Sequence, residues 1–319
     1  MNKSLLTIKH FQDEEAAYAY VEERLWPNGP VCPHCGSTER ISKMKGKSTR
    51  IGTYKCYACR KPFTVKVGTV FESSHIPLNT WLQAIYLIGA SKKGFSSNQL
   101  HRTLGVTLKT AWFMSHRIRE AMRNGNLSPF GNNGGTVEAD ETFLWDIPNV
   151  PIWPGGYMHK NKILSLVDRE SGEARSCVVE ELNAKTVVPI LKENIGKEAR
   201  VMTDDARVYW RLNEDFAAHG TVAHTLGEYV SVADPSIHIN TVEGFFSIFK
   251  RGMKGVYQHC GRQHLHRYLA EFDFRYSNRV AKGIDDLDRA EKLLEGVVGK
   301  RLTYQTTNSQ TRGERGGPL

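Results

Sequence analysis

The chain has 319 residues, 40% of them hydrophobic and 24% charged, with 43 Lys and Arg against 34 Asp and Glu and a net charge of +9. This is globular composition, room for two to three domains, and no apolar run approaches the ~20 residues of a membrane span. The basic excess suits a polyanionic partner such as nucleic acid.

Met1–Leu5 runs straight into Thr7–His10 and an acidic stretch, so no secretory leader is expected. The predicted compartment is the reducing cytoplasm, where paired cysteines favour metal over disulfide. Residues 11–25 have near-helical apolar spacing and predict a short amphipathic helix, stopped by Trp26-Pro27-Asn28-Gly29. A ribbon follows from Val31 to about Val70. Its two C-x-x-C turns, Cys32/Cys35 and Cys56/Cys59, are separated by a loop containing Lys43, Lys45, Lys47 and Arg50. Each turn points two sulfurs at one ion, and four thiolates close a tetrahedron with no open position, so one structural zinc is expected. His34 lies inside a knuckle and is expected to face solvent. The basic loop suits phosphate contact.

Helices are predicted over Thr80–Ala90, Ser96–Leu104 and Leu108–Met122, with turns at 91–95 and 105–107. Gly105 between two helices, with Thr107 as cap, is a helix-turn-helix signature. Ala111, Trp112, Ile118 and Met122 are expected in the core. Lys109, Thr110, His116, Arg117 and Arg119 are expected to remain available for DNA. The Gly- and Asn-rich stretch over 124–135 reads as a linker.

Beyond it the pattern becomes α/β. Strands are predicted at Thr136–Leu144 and Ala199–Thr203, a hairpin at Lys162–Asp168 and Ala174–Glu180, and helices at Asn183–Ile195, Asn240–Met253 and Leu265–Tyr276. The polar Thr303–Leu319 tail is expected to be disordered. The domain boundaries drawn from this are 1–75 for the N-terminal helix and ribbon, 76–124 for the helix-turn-helix-like segment, 125–135 for the linker, 136–300 for the catalytic domain and 301–319 for the tail.

Three acidic signals stand in the α/β region: Asp140 in V-E-A-D-E-T, Asp204 in V-M-T-D-D-A, and Glu243 in H-I-N-T-V-E-G-F-F-S-I-F-K-R. By period two, Val137 and Ala139 face one side of their strand, Glu138 and Asp140 the other. Glu138 and Glu141 compete with Asp140 for the ligand role, and Asp205 competes with Asp204. Glu243 borders the apolar stripe of Val242, Phe245, Phe246, Phe249 and Met253, on the same side as Asn240 and Lys250. Carboxylates converging from separate elements suit a pair of hard divalent cations about 3.5–4 Å apart that act on a phosphodiester. Tyr257, Ser247 and Tyr276 could serve as nucleophiles of a covalent recombinase, but no basic constellation is placed clearly around any of them, which argues against that chemistry. His259, His264, His266, Arg267, Arg275 and Arg279, interleaved with Tyr257, Tyr268 and Tyr276, read as DNA contacts.

With these motifs the sequence resembles bacterial insertion-sequence transposases that carry an N-terminal zinc ribbon and a DDE-type, RNase H-like catalytic domain. The likeness spans roughly residues 10–285. It includes C-P-H-C-G, C-x-x-C-R-K-P-F-T-V, L-G-V-T-L-K-T-A-W-F-M-S-H-R-I-R-E-A-M, M-T-D-D-A-x-x-Y and L-H-R-Y-L-A-E-F-D-F-R-Y-S-N-R, besides the three acidic signals. The resemblance implies an RNase H-like mixed sheet flanked by helices. It implies Asp140, Asp204 and Glu243 as ligands of two catalytic Mg²⁺ or Mn²⁺, Lys250 as the base that follows, and Asn240 as a participant, since related groups carry Glu or Asn at the third position. Lys109, Thr110, Arg117, Arg119, Lys250 and Arg251 would contact DNA. The implied partners are the element's terminal inverted repeats and a target duplex. A homodimer or larger synaptic assembly follows from acting on two ends, with action at the bacterial nucleoid and no membrane. The segment 146–162 is shorter and richer in Pro and Trp than the Gly- and Lys-rich insert of relatives. The competing classes are a DNA-binding regulator without joining activity and a metal-dependent nuclease that cleaves without joining.

Overall fold

The computed structural model describes residues 4–303, apart from 124, 126, 127, 153, 155, 225 and 226. The expected disordered tail, beyond Thr303, lies outside the described residues. The chain divides into two compact units, one built from residues up to Arg123 together with those from Ile284, the other from residues 124–283.

In the first unit, α1 (Lys9–Gln12) and α2 (Glu14–Leu25) replace the single helix expected over 11–25. Asp13 divides them: its backbone is extended, and its carboxylate accepts the Ala16 N–H at 2.8 Å, so it N-caps α2. Strands β1 (Ile41–Lys43), β2 (Tyr54–Cys56) and β3 (Pro62–Phe63) form a small antiparallel sheet. Trp26, Tyr54 and Phe63 pack around Cys32 and Cys56, supplying the ribbon with its only apolar core among the described residues. Helices α3 (Leu78–Ala90), α4 (Ser97–Leu104) and α5 (Leu108–Met122) follow. Ser96 caps α4 and Thr107 caps α5, each accepting a backbone N–H at 3.1 Å. Gly105 ends α4 at φ +66°, a left-handed conformation that favours glycine.

The helix Asp286–Glu295 packs against α3 and α5 and buries Leu293 and Leu294. The expected catalytic domain of 136–300 therefore stops short of its drawn boundary. Its last stretch carries an apolar stripe that finds its partner in the helical unit.

The second unit is a five-stranded mixed sheet in the order β6-β5-β4-β7-β8. Its strands are β4 (Thr136–Asp146), β5 (Lys160–Asp168), β6 (Ala174–Val179), β7 (Arg200–Asp204) and β8 (Ala218–Val222). The first three form an antiparallel meander, and β7 and β8 add in parallel. Strand β8 was not expected from the sequence: Ala218-His219-Gly220-Thr221-Val222 has no apolar alternation strong enough to mark it.

Both faces of the sheet are covered. Val137, Ala139, Leu164, Leu166 and Val201 pack with Val187 and Leu191 of α6 (Ala184–Asn194), and with Tyr209 and Leu212. Leu144, Ile163, Val167 and Met202 pack with α7 (Asn240–Gly252) and α8 (Leu265–Ser277). The expected stripe of Val242, Phe245, Phe246, Phe249 and Met253 is buried there. This is the RNase H-like architecture, a helix-flanked mixed sheet. The parity of β4 sends Glu138 and Asp140 toward α7 and sends Val137 and Ala139 toward α6.

Candidate active site and metal centres

The four ribbon cysteines form one cluster, with Cys32 Sγ to Cys59 Sγ and Cys35 Sγ to Cys56 Sγ each at 3.7 Å. A tetrahedron with ~2.3 Å zinc–sulfur bonds has an edge of ~3.8 Å, so the sulfurs stand at the spacing that one zinc needs. The first knuckle is closed by the Gly36 N–H donating to the Cys32 carbonyl at 2.8 Å. His34 is exposed and outside the cluster, as expected. Lys43, Lys45, Lys47 and Arg50 are exposed, with Lys43 Nζ 3.3 Å from Glu22 Oε2.

The second cluster lies on the sheet. One carboxylate oxygen from each of Asp140, Glu141 and Asp204 lies within 4.8 Å of the others. The topology explains the convergence. The β4–β7 pairing ends at Glu138–Met202, whereas β4 runs on to Asp146. Past that point the strands part, and side chains from β4 and from the end of β7 turn into the gap, the usual ligand position in an α/β sheet. Asp204 is in the cluster; its rival Asp205 is exposed and outside it.

Three acids in one partly dry gap repel one another. Burial pushes the Asp140 carboxyl up to about 8, reinforced by the charges of Glu141, Asp204 and Glu243 and opposed by the Glu141 N–H that donates to its Oδ1 at 2.7 Å. Burial likewise lifts Glu141 to about 7, with Asp204 adding to the rise and the Tyr209 hydroxyl opposing it. Asp204 is raised by burial and by Asp205, against the Ala206 N–H that donates to it at 3.0 Å. A divalent cation removes this repulsion, which is why such a donor set of oxygens fits Mg²⁺ or Mn²⁺.

Glu243 on α7 stands outside the three-acid cluster. Its Oε1 lies 3.6 Å from His224 Nε2, and it is close enough to Asp140 for its charge to act there. Lys250, two turns further along, is lowered by burial and held up by the charges of Asp140 and Glu243. Asn240 is exposed at the first position of α7. Arg251 is exposed, with its Nε bonded to the Ser247 carbonyl at 3.0 Å.

Glu138, weighed as a rival of Asp140, has a structural task. Fully buried, its carboxylate accepts Arg169 Nε at 2.6 Å, Thr241 Oγ1 at 2.7 Å and the Val242 N–H at 2.8 Å. It thereby fastens the start of α7 to β4 and sets the helix that carries Glu243 beside Asp140.

Several basic residues have other work than the sequence suggested. Arg117 and Arg119 do not stay available for DNA: both are buried. Arg117 donates to the carbonyls of Val70 and Glu72, each at 2.8 Å, and of Leu302 at 3.1 Å, while Arg119 bonds Ser115 Oγ at 3.0 Å. The later turns of α5 run through the helical core, so guanidinium groups there must be satisfied internally. His116 is buried against Trp112 for the same reason. Lys109 is exposed, and Thr110 is half-buried with its hydroxyl 2.8 Å from that of Thr107. In the second unit, Arg275 is buried beside Glu271 at 3.2 Å, Tyr257 also bonds Glu271, and Arg279 donates to the carbonyls of Gly172 and Tyr276. These groups are engaged within their own unit. Tyr209 and His224 were not singled out from the sequence. The only signal was the spacing D-D-A-x-x-Y for Tyr209, and a lone histidine after β8 carries none.

Comparison with known proteins agrees with this geometry. Residues 133–277 match the ISXO2-like transposase domain, and residues 12–62 match the transposase zinc-ribbon domain. The chain is 27% identical over 286 residues to an uncharacterized protein in transposable element ISH50 of Halobacterium salinarum, covering 85% of this chain and 93% of that protein. An uncharacterized transposase-like protein of Haemophilus influenzae is 24% identical over 121 residues, 38% of this chain and 93% of that protein. The cryo-EM structure of a simian T-cell lymphotropic virus intasome with PP2A regulatory subunit B56 gamma overlaps 55% of this chain and 63% of its own. The identity is 12% and the TM-score 0.29, too low to carry detail across.

Proposed function

We propose that this chain, a zinc-ribbon insertion-sequence transposase by family, binds the terminal inverted repeats of its element and catalyses DNA strand cleavage and strand transfer with two divalent metal ions. The observation that carries the reading is the meeting of Asp140 and Asp204 at the splayed end of β4 and β7, with Glu243 on α7 beside them. Asp140, Asp204 and Glu243 would hold Mg²⁺ or Mn²⁺. Such ions would supply activation of a water or 3′-hydroxyl and stabilisation of the leaving oxygen of the phosphodiester. Lys250 stands within electrostatic reach of Asp140 and Glu243, where it can hold a backbone phosphate against the acids. Asn240, at the head of α7, can donate to the same strand, and Arg251 can contact the next phosphate.

The net charge of +9 supplies non-specific attraction to DNA. Lys109 and Thr110, at the start of the second helix of the helix-turn-helix, would make base or phosphate contact. The basic ribbon loop adds phosphate contacts. Handling two element ends calls for a homodimer or larger assembly, and the substrate places the protein at the bacterial nucleoid. No helix among the described residues is long and apolar enough to cross a membrane.

The test is Mg²⁺-dependent cleavage and joining of a duplex bearing the element's own terminus, with wild type and Asp140→Ala side by side. The wild type should cut and join, and the variant should bind the duplex and do neither. Cleavage without joined products points to a nuclease. Repeat-specific binding without cleavage in the wild type points to a regulator.

A further inference from the structure

Glu141 is the acid that the strand geometry does not require at the site. Adjacent residues of a strand point to opposite faces, so Glu141 should diverge from Asp140 toward α6. The antiparallel ladder is regular there, with Asp140 opposite Ser165 and Glu141 opposite Leu164. Yet a Glu141 carboxylate oxygen lies within 4.8 Å of oxygens from both Asp140 and Asp204. Its longer side chain reaches round the open edge of β4, into the gap left where β7 departs.

Tyr209 is a second, separate observation. The short 3-10 turn Arg207–Tyr209, directly after Asp204, sets this residue with 0% exposure beneath the carboxylates. Its hydroxyl is directed at Glu141 and near enough to act on that carboxyl, but among the described residues it completes no hydrogen bond of proper geometry. A hydroxyl buried without a partner is costly, and native chains rarely keep one without a use. Outer groups that orient a metal's carboxylate ligands by hydrogen bonding are such a use.

From this placement we infer that Glu141 is a further carboxylate ligand of a divalent cation held with Asp140 and Asp204, and that Tyr209 positions it by donating its hydroxyl proton to the carboxylate oxygen turned away from the metal. Tyr209 is then a positioning residue, acting only through Glu141. The inference rests on the metal-dependent reading of the site and makes Glu141 a partner of Asp140 in the ligand role, not its alternative. It also leaves Glu243 beside His224 in the metal-free chain, free to join from α7.

The test is Mn²⁺ binding by the full-length chain without DNA, followed by electron paramagnetic resonance and calorimetry. Wild type, Asp140→Asn, Glu141→Gln, Glu141→Asp and Tyr209→Phe are compared, and near-UV circular dichroism verifies folding. Asp140→Asn should abolish uptake. Glu141→Gln should weaken it at least ~10-fold, and Tyr209→Phe by about 10-fold. Tyr209→Phe should leave the metal-free melting temperature unchanged or higher, since it removes an unpartnered hydroxyl; a merely structural role would lower it and leave Mn²⁺ affinity alone. Glu141→Asp keeps the charge but shortens the reach, and should also bind weakly; it serves if the Gln variant fails to fold. Wild-type affinity in Glu141→Gln and Glu141→Asp, with uptake lost in Asp140→Asn, overturns this inference and leaves the proposed site standing. Unchanged affinity in Asp140→Asn, or no Mn²⁺ uptake by the wild type, overturns both.

Discussion

Replacing Asp140 by Asn should stabilise the metal-free protein, by an amount set by pH. The Asp140 carboxyl is raised from 3.8 to about 8, chiefly by burial and then by the neighbouring acids. A folded-state value above the unfolded one means that the native chain holds a proton that the unfolded chain releases. The resulting cost is absent below about pH 4, grows with pH across the interval and is complete above about pH 8. At pH 7 the gap is roughly three units, and at ~1.4 kcal/mol per unit keeping that carboxyl protonated costs at most ~4 kcal/mol. Asn keeps the shape without the charge and removes that cost. For a unit of this size ~1 kcal/mol moves the melting temperature by about 2–4 °C, so the transition of the second unit should rise by up to ~8–16 °C at pH 7. The gain should fall to nothing near pH 4. Differential scanning calorimetry at pH 4, 5.5, 7 and 8, with metal chelated, reads this directly. Saturating Mg²⁺ should close most of that difference: at 100 times its Kd a ligand adds ~2.7 kcal/mol to the wild type and nothing to a variant that cannot bind it. A variant equal to or less stable than wild type at every pH would refute the claim that Asp140 is held against repulsion for a cation.

Other outcomes follow from the same geometry. Chelating zinc, or Cys56→Ala, should unfold the ribbon, because its apolar core is little more than Trp26, Tyr54 and Phe63 around the cysteines; loss of metal content together with new protease sites between residues 31 and 67 would be the readout. Arg117→Ala should cost ~3–5 kcal/mol, since it strips donors from three carbonyls in the helical unit. Lys109→Ala should leave stability within ~0.5 kcal/mol and reduce the salt slope of DNA binding by about 1. A chemical melt and a salt titration separate the two, and an intact melt for Arg117→Ala would contradict its assignment. Glu138→Gln should cost a few kcal/mol by leaving Arg169 poorly paired. It should also lower cleavage more than DNA affinity, because it loosens the seat of α7 and not the binding helices; equal losses in both would argue against that role.

Much of this molecule is legible in its residues, and the illegible part has a common cause. The ribbon shows itself because four cysteines at knuckle spacing have few other uses. The core of α7 shows itself because Val242, Phe245, Phe246, Phe249 and Met253 repeat at helical offsets, with no break to confuse the period. Local signals fail where a residue's neighbour in space is remote in sequence. Arg117 and Arg119 have the charge of DNA-binding residues, and only the approach of Val70, Glu72 and Leu302 to α5 shows that Arg117 serves carbonyls instead. The helix Asp286–Glu295 follows the catalytic segment in sequence but buries its leucines against α3, some 200 residues earlier.

The acids of β4 make the point most sharply. Glu138 and Asp140 lie two residues apart on one strand, face the same side, and are the same chemical type, so no rule of period or propensity separates them. What does is the element opposite each. Glu138 meets Arg169 and the free N–H groups at the start of α7, and the three donors consume its charge. Asp140 lies beyond the last β4–β7 pair, where the neighbouring acids are Asp204 and Glu141 and its one backbone donor among the described residues is the Glu141 N–H. One carboxylate is neutralised by the protein, and the other is left for a cation to neutralise. The two are also linked: the acid that fastens α7 fixes how far Glu243 stands from the acids that await the metal. The catalytic role proposed for Asp140 thus depends on the structural role of Glu138, through a contact spanning more than 100 residues of chain.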